Sequence, residues 1–245
     1  MCPAFLVPLA GLILAAQVPG PSAASPTVDT LLMTPEAQWG LVAATVRVAA
    51  GAGQPPFGTA VCLAARGGVA YLLTASHAVP RGEARSYEFF TRASYPKPAD
   101  TVFEGEVTLR LPECDLALVK VPLGREDLAT VRLARLGERP RRFPTPALAV
   151  GCPGGEPPAV RLEQLAGRRL VHRPEGNGFF WESATAPQGG MSGGPLFDAE
   201  GRLLGVCAAA QGGQGYYTHT DEILAGLKRF GYGWLTEAAR KPATP

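Results

Sequence analysis

Short runs of Val, Leu, Phe, Tyr and Thr alternate along most of the chain with turn-forming Gly and Pro residues. β-branched and aromatic residues favour strands, and runs this short are more typical of strands than of helices. The pattern predicts strands at 42–48, 58–64, 69–74, 87–91, 102–110, 116–121, 147–150, 160–165, 179–182, 203–209 and 216–218. Many short strands at this spacing indicate an all-β barrel or sandwich.

Helical periodicity is clear in one stretch, TDEILAGLKRFG at 220–231, where apolar residues recur every three or four positions. Thr220 or Asp221 can cap the start of this helix, and Gly231 can end it. A second, shorter helix is predicted to start at Thr34-Pro35 and run towards Trp39, because proline suits the first position of a helix. Both helices are therefore expected to lie outside the main run of strands.

The amino terminus carries an apolar stretch, FLVPLAGLILAAQV, followed by small residues in PGPSAAS. Ser22 and Ala24 suit signal peptidase, so residues 1–24 are predicted to be a signal peptide cleaved after Ala24. The stretch is shorter than the ~20 residues that a membrane-spanning helix needs. We therefore expect an exported protein, periplasmic or secreted, without stable membrane insertion after cleavage. An uncleaved membrane anchor remains the alternative, because no Lys or Arg precedes the apolar stretch.

The composition argues against several classes of function. A chain of 245 residues with 18% charged and 46% hydrophobic residues fits one mid-sized globular domain or two small ones. The net charge of +2 gives no reason to expect nucleic-acid binding. The sequence has no CxxC or HExxH motif, so no metal or other cofactor is expected. Cleavage of the signal peptide leaves four cysteines, whose three possible disulfide pairings the sequence does not distinguish.

Three short stretches contain side chains suited to one chemistry. His77 follows an apolar strand in YLLTASHAV, Asp115 precedes one in ECDLALVKV, and Ser192 lies among glycines in APQGGMSGGPLFD. Each residue alone is more often structural. Together they supply a hydroxyl nucleophile, an imidazole base to activate it, and a carboxylate to orient the imidazole. The combination predicts acyl transfer, with Ser192 as nucleophile, His77 as general acid and base, and Asp115 as the orienting group.

Acyl transfer also needs backbone N–H donors for the oxyanion of the tetrahedral intermediate. The glycines beside Ser192 allow a tight turn, so the backbone of Gly190, Met191 and Ser192 is predicted to form this oxyanion hole. Within it, the N–H groups of Gly190 and Ser192 are expected to point into one pocket.

The stretches TASHAV, DLALVKV and GMSGGPL resemble the histidine, aspartate and nucleophile motifs of trypsin-like (chymotrypsin-fold) serine peptidases. AVGCPGG and GRLLGVCAAA are similar to further strands of the compact bacterial branch near the high-temperature-requirement proteases. The resemblance covers roughly residues 36–231 and implies two six-stranded antiparallel β-barrels, with the active site between them and a C-terminal helix. The implied organisation is a first barrel at about 36–121, a connector at about 122–146, a second barrel at about 147–219 and the helix at about 220–231.

The chain departs from the family pattern at several positions. Met191 replaces the usual Asp or Asn before the nucleophile, so the turn is expected to be held by packing rather than by a buried ion pair. Ala208 stands where many members have a serine that supports the catalytic aspartate. Only about 14 residues follow Gly231 in this sequence, so the PDZ module common in the high-temperature-requirement group is not expected.

The resemblance also implies a primary specificity pocket. Ala186 would lie at its base, Ala208, Ala209 and Ala210 would line its wall, and Tyr216 or Tyr217 would limit its depth. Such a pocket predicts a preference for small or medium aliphatic side chains before the scissile bond.

The leading hypothesis is therefore an exported serine endopeptidase acting on polypeptide substrates. A non-catalytic member of the same fold, which binds peptides or scaffolds a partner in the same cleft, is the alternative. An esterase or acyltransferase of the α/β-hydrolase type is disfavoured, because the chain lacks a strand–GxSxG–helix elbow and has the order His, Asp, Ser. The sequence does not indicate an oligomeric state.

Overall fold

The computed structural model describes residues 33–50, 56–102, 104–125 and 127–238. The predicted signal peptide, residues 1–24, lies outside the described residues. Within the described ranges, no helix is long and apolar enough to cross a membrane.

The first half of the chain forms an antiparallel sheet of seven strands in the order β5-β4-β1-β2-β3-β7-β6. One of its faces packs on a cluster of buried apolar side chains that includes Val46, Leu72 and Val119. The alternation of apolar residues along these strands places them on this shared face. The strands are β1 Thr45–Ala50, β2 Pro56–Arg66, β3 Val69–Ala75, β4 Arg85–Phe89, β5 Asp100–Val102, β6 Glu106–Leu111 and β7 Leu116–Pro122.

The second half forms a closed antiparallel barrel of six strands in the order β10-β13-β12-β11-β8-β9. Its interior is filled by a second cluster that includes Leu165, Trp181, Met191 and Tyr217. The strands are β8 Thr145–Gly151, β9 Ala159–Arg173, β10 Gly176–Ser183, β11 Pro195–Phe197, β12 Leu203–Gln211 and β13 Gln214–His219.

A third and larger apolar cluster joins the two halves. It contains Leu73 and Leu118 from the first sheet, together with Val150 and Val206 from the barrel. All four side chains are almost completely buried. Because burial of apolar surface is the main favourable term in folding, this cluster fixes the two halves against each other. The stretches predicted to carry chemistry lie along their junction.

The structure confirms the all-β, chymotrypsin-like fold with a C-terminal helix and corrects some strand boundaries. The predicted strand 102–110 is split into β5 and β6, so the first sheet has seven strands rather than six. Gly105 lies in the break, where a Cβ atom would come within 2.4 Å of the Tyr87 ring. β9 extends well beyond the predicted 160–165, because its second half pairs with β10 as a largely solvent-facing hairpin without apolar alternation.

The helices also differ from prediction in detail. Helix α1, Pro35–Ala43, is capped by the Thr34 hydroxyl and runs far enough to delay the first strand to Thr45. Helix α2, Thr220–Arg229, is capped by His219 rather than by Thr220 or Asp221. The Thr220 hydroxyl instead donates to the Leu204 carbonyl. The helix ends before Gly231, as predicted, and a short helix α3, Leu235–Ala238, follows.

The four cysteines within the described residues are free and buried. Burial raises the pKa of Cys62, Cys152 and Cys207 to about 12. Because the thiolate is the reactive form, these side chains act as small apolar core residues.

Candidate active site

His77 lies at the end of a buried strand. The β3 strand ends at Ala75, and residues Ser76–Ala78 form a single 3₁₀ turn. Arg110 donates from Nη1 to the Ser76 carbonyl at 3.2 Å and fixes this turn from the side. The His77 side chain is 46% exposed, although its backbone is held on the edge of the core. The histidine is therefore both anchored and open to solvent.

Asp115 is positioned by an unusual backbone conformation. It follows the 3₁₀ turn Pro112–Cys114 and has φ 54° and ψ 44°, the one positive φ outside glycine among the described residues. Aspartate is among the few residues that tolerate this left-handed region. The conformation directs the carboxylate at His77: Oδ1 accepts from the His77 N–H at 3.0 Å, and Oδ2 lies 2.6 Å from its Nδ1.

The contact with Asp115 determines which nitrogen of the His77 ring can accept a proton. With Nδ1–H donating to Asp115, the neutral ring has its lone pair on Nε2, where it can accept a proton. Asp115 is 7% exposed, and within the described part of the chain only His77 donates to its carboxylate.

The turn that carries Ser192 packs directly on the first sheet. The Thr59 N–H donates to the Ser192 carbonyl at 2.8 Å. A Cβ atom on Gly193 would lie 2.0 Å from the Thr59 carbonyl oxygen and 2.8 Å from the Ala75 nitrogen. Gly193 also has φ +84°. The glycine is therefore required for this close approach, which brings Ser192 to the strand end that precedes His77.

Gly58 gives a second measure of how near Ser192 lies to His77. A Cβ atom built on Gly58 would be 2.9 Å from the Ser192 carbonyl oxygen and 3.1 Å from Cβ of Ala78, the residue after His77. Among the described residues, the Ser192 hydroxyl has no hydrogen bond to His77. In free enzymes such contacts are often long and tighten only when substrate binds.

The amides on either side of Met191 are free to donate. The Met191 N–H donates to the Gln188 carbonyl at 3.1 Å and closes the turn, so this amide is not available to an oxyanion. In the described residues, the N–H groups of Gly190 and Ser192 donate to no backbone carbonyl. Gly190 has φ +88°, which reverses the direction of its peptide. The amide of Met191, one of the three predicted to form the oxyanion hole, is thus used within the turn, whereas those of Gly190 and Ser192 have no backbone acceptor.

Thr59 holds this turn in place and was not singled out by the sequence. Its hydroxyl donates to the Gly190 carbonyl at 2.7 Å and accepts from the Cys152 N–H at 3.0 Å. Its carbonyl accepts from the Thr74 hydroxyl at 2.7 Å. Threonines in strands are common, so nothing in the sequence marks Thr59 as the residue that joins the two halves at the site.

The Met191 side chain anchors the turn by packing in the interior of the barrel. Its side chain is 2% exposed and belongs to the barrel cluster that contains Trp181, Cys207 and Tyr217. The packing is tight, because a Cβ atom on Gly151 would lie 2.8 Å from the Met191 sulfur. The turn is thus held by apolar packing. A charged residue at position 191 would instead need a buried group of opposite charge as its partner.

The residues predicted to form the specificity pocket lie at different depths. Ala186 is half-buried, Ala208 is buried, Ala209 is half-buried and Ala210 is exposed. Tyr217 is fully buried in the barrel cluster, so its side chain does not reach solvent.

An ion pair beside Ala186 was not predicted. Arg161 donates from Nη2 to the Ala186 carbonyl at 3.1 Å and pairs with Glu163 at 2.5 Å. Burial raises the pKa of the Glu163 carboxyl, and the Arg161 guanidinium opposes this rise. The pair fixes the segment that leads into the Ser192 turn. Both residues lie in the predicted strand 160–165, and the sequence of that strand does not indicate a contact with Ala186.

The surroundings of the turn leave room for a ligand chain. A cavity of about 660 Å³ is lined by residues 153–156 and 188–190, beside the free N–H of Gly190. Within the described residues, no group of three or more His, Cys, Asp or Glu side chains is arranged to hold a metal ion.

Comparison with known proteins gives a consistent result. A family model described as a trypsin-like peptidase domain matches residues 58–206. The active form of the Rv3671c protease from M. tuberculosis is 20% identical, with a TM-score of 0.67 over 91% of this chain and 95% of that chain. The HtrA-type protease AlgW, solved with a decapeptide, is 21% identical, with a TM-score of 0.64 over 80% and 67%. At these identities the structures establish similarity of fold. No curated protein matches the sequence.

The packing of Met191 can be tested by two substitutions. Met191→Asp would place a carboxylate in an apolar cluster, so we expect the free energy of unfolding to fall by about 3 kcal/mol or more. Met191→Leu keeps the volume and polarity, and its cost should stay below about 1.5 kcal/mol. Urea denaturation of the three proteins measures both values. An Asp variant as stable as the Leu variant would show that this packing does not hold the turn.

Proposed function

Because the chain belongs to the trypsin-like peptidase family, we propose that it cleaves polypeptides as a serine endopeptidase through His77, Asp115 and Ser192. The observation that carries the proposal is the 2.6 Å contact between Asp115 and His77 at the strand end on which the Ser192 turn packs. Family membership supports proteolysis, and this geometry supports the assignment of the three residues.

In the proposed reaction, Ser192 Oγ attacks the scissile carbonyl while His77 Nε2 accepts its proton. Asp115 keeps the ring in the required tautomer and stabilises the imidazolium that forms. His77 then protonates the leaving amine, and an acyl-enzyme remains on Ser192. Water, activated by the same histidine, releases the acid product and restores the serine.

The negative charge that develops on the carbonyl oxygen requires stabilisation at a fixed position. We assign this role to the N–H groups of Gly190 and Ser192, the free donors on either side of Met191. Removing a donor of this kind from an enzyme typically costs about 3 kcal/mol of transition-state stabilisation. Thr59 and Met191 would act indirectly, because they hold the turn that presents both donors.

The proposal includes a preference for small or medium apolar residues before the scissile bond. The small side chains of Ala186, Ala209 and Ala210 support it. Glu163 does not offer a specificity group for basic residues in this arrangement, because it is buried and its Oε1 is paired with Arg161.

Export is a further part of the proposal. It is supported by the apolar stretch FLVPLAGLILAAQV and the small residues Ser22 and Ala24 that follow it. After cleavage, the mature chain would start at Ser25 and act outside the cytoplasm on polypeptides.

Labelling with a fluorophosphonate probe tests the nucleophile. We expect the wild-type protein to be labelled at neutral pH and Ser192→Ala to be unlabelled, with peptide hydrolysis lowered by about 10⁴-fold or more. Ser94→Ala, which changes a serine in a turn outside the site, should be labelled like the wild type. A folded wild-type protein that takes no label would contradict the proposal and favour the peptide-binding alternative.

Digestion of a peptide library tests the specificity pocket. We expect cleavage after Ala, Val and Leu to exceed cleavage after Lys, Arg or Glu. Ala186→Met should reduce kcat/KM for Leu relative to Ala by about tenfold, because the added side chain fills the base of the pocket. Ala184→Met, at an exposed position two residues away, should leave this ratio unchanged. If both variants keep the wild-type preference, Ala186 does not line the pocket.

Amino-terminal sequencing of the protein recovered from an expressing cell tests export. We expect the exported form to begin at Ser25, because Ala24 provides the small residue that signal peptidase requires. Ala24→Tyr should accumulate as an uncut precursor. Recovery of the uncut wild-type chain in the membrane fraction would identify the stretch as an anchor instead.

A further inference from the structure

A second cavity, of about 440 Å³, lies at the start of helix α2 and shares no residue with the candidate active site. Its volume falls within the roughly 300–1,000 Å³ typical of small-molecule sites. Residues from three parts of the chain line it: the segment before β8, the β9–β10 hairpin and the β13–α2 junction. Those that matter here are Arg139, Arg141, Phe143, Arg168, Trp181, His219 and Asp221.

His219 lines this cavity and supplies a hydrogen-bond donor to it. The residue is 2% exposed, and its Nδ1 accepts from the Asp221 N–H at 3.0 Å. The neutral ring therefore carries its hydrogen on Nε2, which has no hydrogen-bond partner among the described residues. Burial and the Arg168 guanidinium lower the pKa of His219 to about 4, so the ring is neutral at pH 7. Because His219 lines the cavity, this N–H can donate to an acceptor bound there.

The charges around the cavity are unbalanced. Arg139 is 8% exposed and pairs with Asp221, while Arg168 lies 3.8 Å from the same carboxylate. Arg141 has no ion pair within the described part of the chain. Three guanidinium groups thus face one carboxylate, which leaves an excess of two positive charges. The site is therefore suited to an anion, and planar guanidinium groups favour a carboxylate or phosphate.

The wall of the cavity is aromatic. The Trp181 indole donates to the Leu204 carbonyl at 2.8 Å, so its polar group is satisfied. The residue is 2% exposed, and the part of its ring that lines the cavity is apolar. The Phe143 ring lies 6.1 Å from the Trp181 ring and is 37% exposed. The His219 ring lies 4.1 Å from Trp181 on another side. Such a wall favours a ligand with a flat apolar body.

We propose that this cavity binds a carboxylate carried on an aromatic body. The carboxylate would accept from Arg141, Arg168 and the Nε2–H of His219, and the aromatic body would pack against Trp181 and Phe143. A free aromatic acid and the carboxyl-terminal aromatic residue of a polypeptide share this chemistry. The site does not depend on the proposed peptidase activity, because His77, Asp115 and Ser192 are not among the residues that line it.

Calorimetric titration of the full chain with naphthalene-2-acetate tests the proposal. We expect saturable binding of the acid and at least about tenfold weaker binding of its neutral amide, since the charge-assisted hydrogen bonds are lost. A peptide that ends in phenylalanine, with a free or an amidated carboxyl group, forms the second arm. The arm that binds more tightly identifies the source of the carboxylate.

Matched variants locate the binding. Arg141→Gln and Arg168→Gln should each weaken binding of the acid by about tenfold. Phe143→Ala, at an exposed position, should weaken it by about fivefold. Arg173→Gln, on the same hairpin but outside the cavity, should change the affinity less than twofold. The proposal is wrong if the acid does not bind, if its amide binds equally well, if inorganic phosphate binds as tightly as the acid, or if the Arg141 and Arg168 variants bind like the wild type.

Discussion

The candidate active site depends on how Thr59 joins the two halves of the molecule. Its N–H, hydroxyl and carbonyl are all hydrogen-bonded, to Ser192, to Gly190 and Cys152, and to Thr74. Each such bond contributes only about 0.5–1.5 kcal/mol, but an unsatisfied buried group would cost more. Thr59 is completely buried. The Ser192 turn therefore has one favourable position on the first sheet.

Two kinds of contact then give the turn its shape. Where the turn meets the first sheet, Gly58 and Gly193 let the backbone of the turn and that of the sheet approach more closely than any Cβ atom would permit. On the barrel side of the turn, the Met191 side chain packs in the barrel interior next to Gly151. The glycines of this stretch thus allow close packing instead of flexibility. A related peptidase that uses a buried carboxylate here would need a partner charge, whereas this chain needs only a well-packed core.

Each half of the molecule positions different residues of the candidate active site, and the shared apolar cluster holds the two halves together. The first sheet orients His77, because Asp115 adopts a left-handed conformation that directs its carboxylate at the ring. The barrel presents Ser192 and, through the Arg161–Glu163 pair, holds the segment at Ala186. The same barrel leaves an electropositive aromatic cavity at the start of helix α2. Trp181 connects the two regions, since it lines that cavity and packs in the cluster that contains Met191.

The sequence by itself determined the all-β class, the C-terminal helix, and the local settings of His77, Asp115 and Ser192. These follow from periodicity and short motifs, which depend on neighbouring residues. Only the tertiary structure decided the break at Gly105, the His219 cap, the Arg161–Ala186 contact and the role of Thr59. Thr59 meets Gly190 across 131 positions of the chain. A contact at that separation depends on how the two sheets pack, so it cannot be predicted from a local pattern of residues.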